Sequence, residues 1–455
     1  MSLDLGGLSA PVSSVDDLVA YLRGAERPAS GWLVGVEHEK IGVRGPRFEA
    51  VPYHGEGGIR QLLDAIARSA GGTQHKHKEN GQPIALLSKD ASVTLEPGGQ
   101  LELSGAPSRS FAEISKEIDD HLAEVRKDSG GILWLAAGYR PFGTRDEVPW
   151  MPKGRYAAMK ESLGPRGRLA LDMMLMTATV QANLDWSDEV DLAEKVRAAT
   201  AVSPIVTAMF ANSPLINGRP GGYLDFRYQV WRETDPARCG LLEQMLRPGW
   251  GYRAYVEWAL DVPMLFVRRG ADYRHAQGQT FRQFMQTGRL ATGEAVQPIL
   301  SNWVDHLTTL FPEVRVKRVL ELRGADVVPP PLMMALPALW VGLLYDKGAR
   351  QAAWELTKGW SFDELLDFQG EVAREALRAK GPGGVTALEL AREVARIART
   401  GLQGWEKVSG FDERGYLDPL NDILDTGHTL AERVLQAYKD SGGDPASVVP
   451  LWQIA

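Results

Sequence analysis

The chain has a single cysteine, Cys239, among its 455 residues. One cysteine cannot form an internal disulfide, and a zinc site built from cysteine ligands is implausible. The composition is therefore typical of a reducing compartment, and we expect a cytoplasmic protein. Residues 1–14 contain neither a charged n-region nor a long apolar stretch, so we also expect no secretory signal.

The chain also lacks a surplus of positive charge, with 51 Lys and Arg against 58 Asp and Glu. This balance argues against a nucleic-acid partner and against an anionic membrane surface. One long uncharged stretch, residues 327–345, is interrupted by four prolines and leaves only residues 338–345 as an unbroken apolar run. Such a run is too short to span a bilayer. We expect small-molecule substrates and a monomer or homodimer.

Three common site motifs are missing: the GxxxxGK[ST] phosphate loop, the GxGxxG dinucleotide turn and the HExxH zinc motif. A nucleotide would therefore be bound by another arrangement. His38 stands between two glutamates on a strand-like segment, where alternation directs it to the opposite face. We expect His38 to be packed in the interior rather than to bind a ligand.

The hydrophobic pattern predicts an α+β fold. Alternating residues predict strands at 31–43, 92–104 (a hairpin around Pro-Gly-Gly), 132–139, 176–186, 221–231 and 315–326. Helical patterns cover 15–22, 59–69, 111–128, 188–202, 203–211 and most of the chain after 336. We predict a catalytic α+β domain at 1–346 and a helical region at 347–455 packed on it.

Carboxylates concentrate on the strand-like segments. Glu37 and Glu39 share one face of a strand about 7 Å apart, Glu96 and Glu102 flank the hairpin turn, and Glu321 lies on a later strand. Acidic groups that point the same way repel one another unless a cation lies between them, and oxygen-rich clusters suit Mg²⁺, Mn²⁺ or Ca²⁺. Solvated strand faces and a glycosidase pair of acids remain alternative interpretations.

A second set of candidates is basic. Lys153, Arg155, Arg227 and Arg323 each lie in an aromatic or apolar context. The planar guanidinium fork binds a carboxylate or a phosphate through two parallel hydrogen bonds. A salt bridge to a nearby acid explains any single arginine, but three of them among strand carboxylates indicate an anionic ligand.

Ordered motifs from residue 31 to 346 resemble the plant and proteobacterial type of glutamate–cysteine ligase. The motifs are EHEK (37–40), SVTLEPGGQLELSGAP (92–107), MPKGRY (151–156), TVQANLDW (179–186), FANSPLINGRPGGYLDFR (210–227), ALDVPM (259–264), HLTTLFPEVRVKRVLELRGAD (306–326) and ALPALWVGLLYD (335–346), with GYLDPL (415–420) beyond. The resemblance implies a curved antiparallel sheet of the glutamine-synthetase type surrounded by helices. Its concave side is expected to bind ATP and Mg²⁺.

The resemblance also implies an activity. ATP phosphorylates the γ-carboxylate of glutamate, and the amine of cysteine attacks the acyl phosphate to give γ-glutamylcysteine and ADP. This is the first step of glutathione or related thiol biosynthesis. Two alternatives stay open: a γ-glutamyl ligase with a different amine acceptor, and a catalytically silent homologue that binds glutamate or nucleotide.

Residue roles follow from the matching motifs. Five acidic residues are expected to bind Mg²⁺ (or Mn²⁺): Glu37, Glu39, Glu96, Glu102 and Glu321. Arg155, Arg227 and Gln181 are expected to bind the substrate glutamate. Arg323 is assigned to phosphate or transition-state charge, and Glu39 is also counted as catalytic.

Two segments depart from the plant-type pattern. Residues 176–179 read Met-Thr-Ala-Thr where that pattern has Arg-Thr-Cys-Thr, and residues 328–334 replace Gly-Pro-Trp-Arg-Arg-Leu-Cys. We expect residues 328–334 to lie near the site and to determine the amine acceptor. The cysteines of the plant redox switch are missing, so we expect no regulation by a disulfide.

Overall fold

A computed structural model describes residues 8–69, 74–270 and 272–455 of the chain. Within these residues there are sixteen strands and seventeen α-helices. The strands are β1 Val34–Arg44, β2 Glu49–Ala50, β3 His75–Glu79, β4 Gln82–Leu87, β5 Ser92–Leu95, β6 Leu101–Ser104, β7 Leu133–Leu135, β8 Val180–Leu184, β9 Leu215–Ile216, β10 Arg219–Pro220, β11 Cys239–Gly240, β12 Phe266–Arg269, β13 Asp272–His275, β14 Phe311–Pro312, β15 Val314–Val316 and β16 Leu320–Leu322. Part of the N-terminal segment in which we expect no secretory signal lies outside the described residues.

The helices confirm most of the helical predictions, including 59–69 and 111–128. They are α1 Val15–Arg23, α2 Ile59–Ser69, α3 Phe111–Asp128, α4 Gly154–Leu163, α5 Ala170–Met176, α6 Glu189–Met209, α7 Phe226–Arg232, α8 Tyr252–Asp261, α9 Phe281–Thr287, α10 Leu300–Leu307, α11 Leu332–Leu344, α12 Lys347–Glu355, α13 Phe362–Glu375, α14 Ala387–Ser409, α15 Pro419–Thr426, α16 Leu430–Asp440 and α17 Val449–Trp452. The predicted α+β class is confirmed.

The main sheet is antiparallel and is organised around β1. The strand order is β15-β16-β8-β1-β6-β5-β4-β3, and β2 and β7 pair with the last residues of β1. Because successive side chains on a strand point to opposite faces, Glu37 and Glu39 lie on one face and His38 on the other. His38 is fully buried there, with its ring 5.8 Å from that of His121 on α3. The expectation that His38 is packed in the interior is confirmed.

The long uncharged segment becomes a buried helix. All thirteen residues of α11 are buried, and α14 crosses it closely. A β-carbon on Gly401 would lie 1.8 Å from the carbonyl oxygen of Gly342, so only glycine permits this approach. Among the described residues, no helix is long and apolar enough to cross a membrane.

Two predictions for the middle of the chain were wrong. Residues 221–231 were predicted as a strand, but α7 begins at Phe226 because the Asp225 carboxylate accepts the Tyr228 amide and caps the helix. The two helices predicted at 188–202 and 203–211 are the single helix α6, in which Pro204 is accommodated within the helix interior.

Candidate active site

A cavity of about 450 Å³ lies on the face of the main sheet that carries Glu37 and Glu39. Strands β1, β4, β5, β6 and β8 contribute one wall, while α4, α7 and the segment around β12 and β13 contribute the facing wall. The strand wall carries the carboxylates and the other side carries Arg155 and Arg227. Further cations, Arg315, Lys317 and Arg323, reach the cavity from the β15–β16 end of the sheet. The fold therefore brings two sets of opposite charge, far apart in sequence, to one cavity.

The acidic wall consists of Glu37, Glu39, Glu96 and Glu102, all of which line the cavity. Glu39 and Glu102 are direct partners across the β1–β6 pairing. Burial raises the pKa of Glu39 well above its ordinary value, and the charges of Glu96 and Glu102 raise it further. Burial likewise raises the pKa of Glu37, with Glu321 and Glu102 adding to the effect. These groups are held together against their mutual repulsion, as expected of a cation site.

Three of these carboxylates have one oxygen fixed by a neighbouring donor. The Asn183 amide donates to Glu37 Oε1 at 3.0 Å, and the Thr179 backbone N–H donates to Glu39 Oε2 at 3.0 Å. The Thr94 hydroxyl donates to Glu102 Oε2 at 2.6 Å. These bonds orient the side chains toward the cavity.

The spacing of the acidic wall limits what it could hold by itself. Across residues 8–69, 74–270 and 272–455, no group of three His, Cys, Asp or Glu side chains is close enough to hold a metal ion. Mg²⁺ usually takes one or two protein carboxylates and completes its shell with water and substrate phosphates. The arrangement therefore fits a magnesium–nucleotide complex better than a metal bound by protein ligands alone.

The basic wall contains Arg155 on α4 and Arg227 on α7. Both terminal nitrogens of Arg227 donate at 3.0 Å, to the carbonyl oxygens of Gly324 and Arg323. The Nε atoms of Arg155 and Arg227 are buried and have no hydrogen-bond partner among the described residues. An unpaired buried N–H is costly, so these two donors are suited to an anionic ligand in the cavity.

Gln181 and Arg323 form a pair at the cavity surface. The Arg323 guanidinium donates to the Gln181 side-chain oxygen at 2.9 Å and lies 5.7 Å from the centre of the Trp231 ring. Gln181 is thus placed to orient Arg323, in addition to lining the cavity. All the residues expected to bind glutamate, together with Arg323, are brought together by the structure.

Glu321 is placed differently from the other four acids. It is fully buried and does not line the cavity. It forms ion pairs with Arg315, with Lys317 at 2.7 Å and with Arg323 at 3.3 Å. Burial alone would raise the pKa of Glu321, but Arg315, Lys317 and Arg323 hold it well below its ordinary value. A carboxylate already neutralised by three cations has little charge to offer a metal, which disfavours the expected metal role.

We predict that Glu321→Gln destabilises the protein by about 3–5 kcal/mol, because it leaves buried cations without their partner. Since the folded-state pKa is depressed, the ion pairs stabilise the protein above the ordinary pKa of glutamate. This contribution is lost as the pH falls through the lower folded-state pKa. Urea unfolding at neutral and acidic pH measures the effect. The matched control is Glu371→Gln, which removes an exposed carboxylate. Equal stability of the two variants at neutral pH would contradict the prediction.

The structure adds cavity residues that the sequence analysis did not select. Among them are Arg268, Arg315, Lys317 and Trp231. Arg315 and Lys317 alternate along the segment that leads to β16, so the periodicity used for the glutamates would have identified them. Arg268 and Trp231 had no comparable signal, since each reaches the cavity through the packing of its element.

Residues 328–334 were expected near the site and were expected to determine the amine acceptor, but the structure does not place them in the cavity wall. None of them lines the cavity. Val328, Met333 and Met334 are buried in the hydrophobic core at the start of α11. At these three positions the apolar replacements belong to core packing, whereas Pro329 and Pro330 are partly exposed and Pro331 is exposed. In the other departing segment, Thr177 and Thr179 do line the cavity.

Cys239 is buried, and burial raises the pKa of its thiol to about 12. Because the thiolate is the reactive form, we predict that a thiol reagent labels the native protein at neutral pH on the order of a hundredfold more slowly than the unfolded chain. A colorimetric thiol assay measures both rates, and the urea-unfolded chain is the control. Rapid labelling of the native protein would contradict the assignment.

Comparisons with known proteins agree with the geometry. The sequence model of glutamate–cysteine ligase family 2 matches residues 33–449. A chloroplastic glutamate–cysteine ligase of Brassica juncea is 40% identical over 440 residues, covering 96% of this chain and 83% of the relative. The enzyme of Arabidopsis thaliana is 40% identical, with 96% and 82% covered, and ligase B of Oryza sativa subsp. japonica is 39% identical, with 96% and 86% covered.

A solved structure supports the fold. The crystal structure of a glutamate–cysteine ligase from Francisella tularensis in complex with AMP matches with a TM-score of 0.51 at 12% identity, covering 92% of this chain and 87% of that one. The expected cytoplasmic location is contradicted, because the plant relatives are named as chloroplastic enzymes. On the family match and this identity, the chain belongs to glutamate–cysteine ligase family 2.

Proposed function

We propose that this protein is an ATP-dependent ligase that joins the γ-carboxylate of glutamate to the amine of cysteine, giving γ-glutamylcysteine. The observation that carries the proposal is the cavity in which a carboxylate wall faces an arginine wall. Among the described residues no ion pair joins the carboxylate wall to Arg155 or Arg227, so both sets of charges can bind a ligand of opposite charge. Mg²⁺–ATP and glutamate together supply those charges.

Glutamate binding is assigned to the arginine wall. The buried Nε atoms of Arg155 and Arg227 have no partner in the described part of the chain and are suited to a substrate carboxylate. Arg227 is rigidly oriented by its two bonds to backbone carbonyl oxygens. A preoriented guanidinium loses little freedom on binding, which favours a specific pose of the substrate.

Nucleotide and metal binding are assigned to the sheet wall. Glu39, Glu96 and Glu102, with Glu37 beside them, would hold Mg²⁺ (or Mn²⁺), and the metal would neutralise phosphate charge and orient the γ-phosphoryl group. The apolar side chains of Ile84, Ala85 and Leu87 on β4 line the same cavity and suit a purine base. The absence of a phosphate loop is consistent with this mode of binding.

Phosphoryl transfer to the glutamate γ-carboxylate develops charge on the transferred group, and catalysis of such a step consists mainly of positioning and electrostatic stabilisation. We assign the stabilising charge to Arg323, which Gln181 and Glu321 hold in place at the cavity surface. The amine of cysteine then attacks the acyl carbon and displaces phosphate. Because the acyl phosphate hydrolyses in water, the enclosed cavity is part of the assignment.

The alternatives are less well supported. The expected acceptor determinant, residues 328–334, lies outside the cavity, so nothing in the site favours another amine. A silent homologue would not be expected to keep the carboxylate wall and both arginines. The retention of these groups supports an active enzyme.

The test is ADP release by the purified protein with Mg²⁺, ATP and glutamate, with and without cysteine, together with the mass of the product. Cysteine-dependent ADP release and a γ-glutamylcysteine mass are expected. ADP release that depends on another amine and not on cysteine would show that the protein is a γ-glutamyl ligase with a different acceptor. No turnover with any amine would support the silent homologue.

We also propose that residues 1–346 form the catalytic domain and that 347–455 pack on it as an integral part. Contacts made by α13 support the close packing of the two regions. The Gln369 side chain donates to buried Glu313, and the Ala373 carbonyl oxygen accepts the backbone N–H groups of Leu224 and Asp225, just before α7. Limited proteolysis that releases a stable 1–346 fragment would contradict the integrated arrangement.

For the oligomeric state, we propose a monomer or a homodimer. Sedimentation of the purified protein distinguishes the two.

A further inference from the structure

Two buried carboxyl groups lie behind Arg227, outside the cavity. Asp225 precedes α7 and Asp326 follows Arg323 by three residues; both are fully buried. The Ser213 hydroxyl lies within hydrogen-bond distance of both carboxyl groups, so the two acids are neighbours in the interior. The reaction described above gives neither of them a role.

A serine hydroxyl joins the two acids to the arginine. The Ser213 hydroxyl donates to Asp326 Oδ2 at 2.7 Å and lies 3.4 Å from Asp225 Oδ1. The same hydroxyl oxygen accepts the backbone N–H of Arg227 at 3.1 Å. Asp326 also accepts the Asn212 backbone N–H at 2.8 Å, and Asp225 caps α7 through the Tyr228 N–H at 2.7 Å. The acids thus fix both the start of α7 and the backbone of Arg227.

The remaining oxygens of the pair require a proton. Asp225 Oδ2 and Asp326 Oδ1 are buried and have no donor among the described residues. Two carboxylate oxygens cannot approach each other closely in a dry interior unless one of them is protonated. Burial raises the pKa of Asp225 well above its ordinary value, with Asp326 adding to it, and burial also raises the pKa of Asp326, to about 6. Arg227 is the charged side chain that opposes both shifts.

The backbone packs closely on one of the two acids. A β-carbon on Gly138 would lie 2.0 Å from Asp326 Cγ, so the backbone at residue 138 packs directly on this carboxyl group. Arg227 in turn donates to the carbonyl oxygens of Arg323 and Gly324, immediately before Ala325 and Asp326. The chain around Asp326 therefore holds Arg227 at its guanidinium, and Ser213 holds it at its backbone.

We infer that Asp225 and Asp326 share one proton and act, through Ser213 and the two carbonyl oxygens, as positioning residues for Arg227. This inference rests on the proposed role of Arg227 in binding glutamate. With one proton the pair carries a single negative charge beside the guanidinium. Loss of that proton at alkaline pH adds a second negative charge, which weakens the attraction of Arg227 for a substrate carboxylate.

The first test detects the protonated carboxyl group in the absence of substrate. Infrared spectra of protein labelled with ¹³C at its aspartate carboxyl groups should show a protonated C=O band at neutral pH in the wild type. The band should vanish in both Asp225→Asn and Asp326→Asn, because the amide then replaces the shared proton as donor. A band that persists in Asp326→Asn would show that Asp225 is protonated by burial alone and would overturn the sharing. A wild type without the band would also overturn it.

The second test measures whether the two acids position Arg227 for glutamate binding. Asp225→Ala and Asp326→Ala are expected to raise the KM for glutamate about tenfold, the effect of losing one well-placed interaction, with the KM for ATP unchanged. The asparagine variants should restore the wild-type KM, and Asp225→Asn should remove the rise of the glutamate KM at alkaline pH. Exposed Asp363→Asn on α13 is the control.

The outcomes separate this inference from the proposed function. A glutamate KM that is unchanged in both alanine variants, or that rises together with the ATP KM, would overturn the positioning role. Should the wild type fail to use glutamate at all, the proposed function fails, while the infrared band still decides the shared proton. The asparagine variants keep the helix cap, so they report on the pair even where the alanine variants do not fold.

Discussion

Glu39→Gln is expected to lower kcat at least about a hundredfold, as the loss of a preorganised electrostatic partner does in other enzymes, while the protein stays folded. Glutamine keeps the shape of the side chain and can still accept the Thr179 backbone N–H. It removes the carboxylate that lies beside Glu102, the partner of Glu39 across the β1–β6 pairing. Steady-state ADP release, measured over a Mg²⁺ titration, should show that more Mg²⁺ is needed for any remaining activity.

The control for this variant is Glu49→Gln, an exposed glutamate on β2 outside the cavity. It should have wild-type kcat and Mg²⁺ dependence. Circular dichroism and a thermal unfolding curve establish that Glu39→Gln is folded. An active Glu39→Gln protein with an unchanged Mg²⁺ requirement would remove Glu39 from the metal assignment.

Arg227→Ala is expected to raise the KM for glutamate by about a hundredfold or more, since loss of a partner of a charged group costs roughly 2–5 kcal/mol. The KM for ATP should change little, because the acidic wall lies on the sheet across the cavity. Initial rates with one substrate varied at a time separate the two constants. This split distinguishes loss of a glutamate contact from general damage to the site.

Arg232→Ala is the matched control, since Arg232 is exposed at the end of the same helix, α7. It should leave both KM values unchanged. Arg227 also donates to two carbonyl oxygens, so its loss could disturb the local structure. Arg227→Lys is therefore a second variant, which keeps the positive charge but lacks the planar guanidinium group. A proportional rise of both KM values in Arg227→Ala and Arg227→Lys would contradict a specific role in glutamate binding.

Local patterns predicted the elements that carry the acids. The alternation in residues 31–43 and the Pro-Gly-Gly turn within 92–104 predicted β1 and the β5–β6 hairpin, and both are present. The rule that side chains alternate placed Glu37 and Glu39 on one face and His38 on the other. The same rule failed for Phe226–Arg232. Polar and apolar residues alternate along this short buried helix, so its sequence resembles that of a strand.

What the sequence determined by itself is the chemistry of the side chains and, through alternation and turn residues, which of them share a face. It also contained the family motifs, whose order predicted the activity. Tertiary structure decided which groups meet. Glu321 has the same residue type and strand context as Glu39, but Arg315, Lys317 and Arg323 surround it, while Glu39 faces the cavity. Residues 328–334 adjoin a site motif in sequence, but Val328, Met333 and Met334 pack in the core in space. Charge pairing and burial depend on contacts between distant segments, and local periodicity contains no information about them.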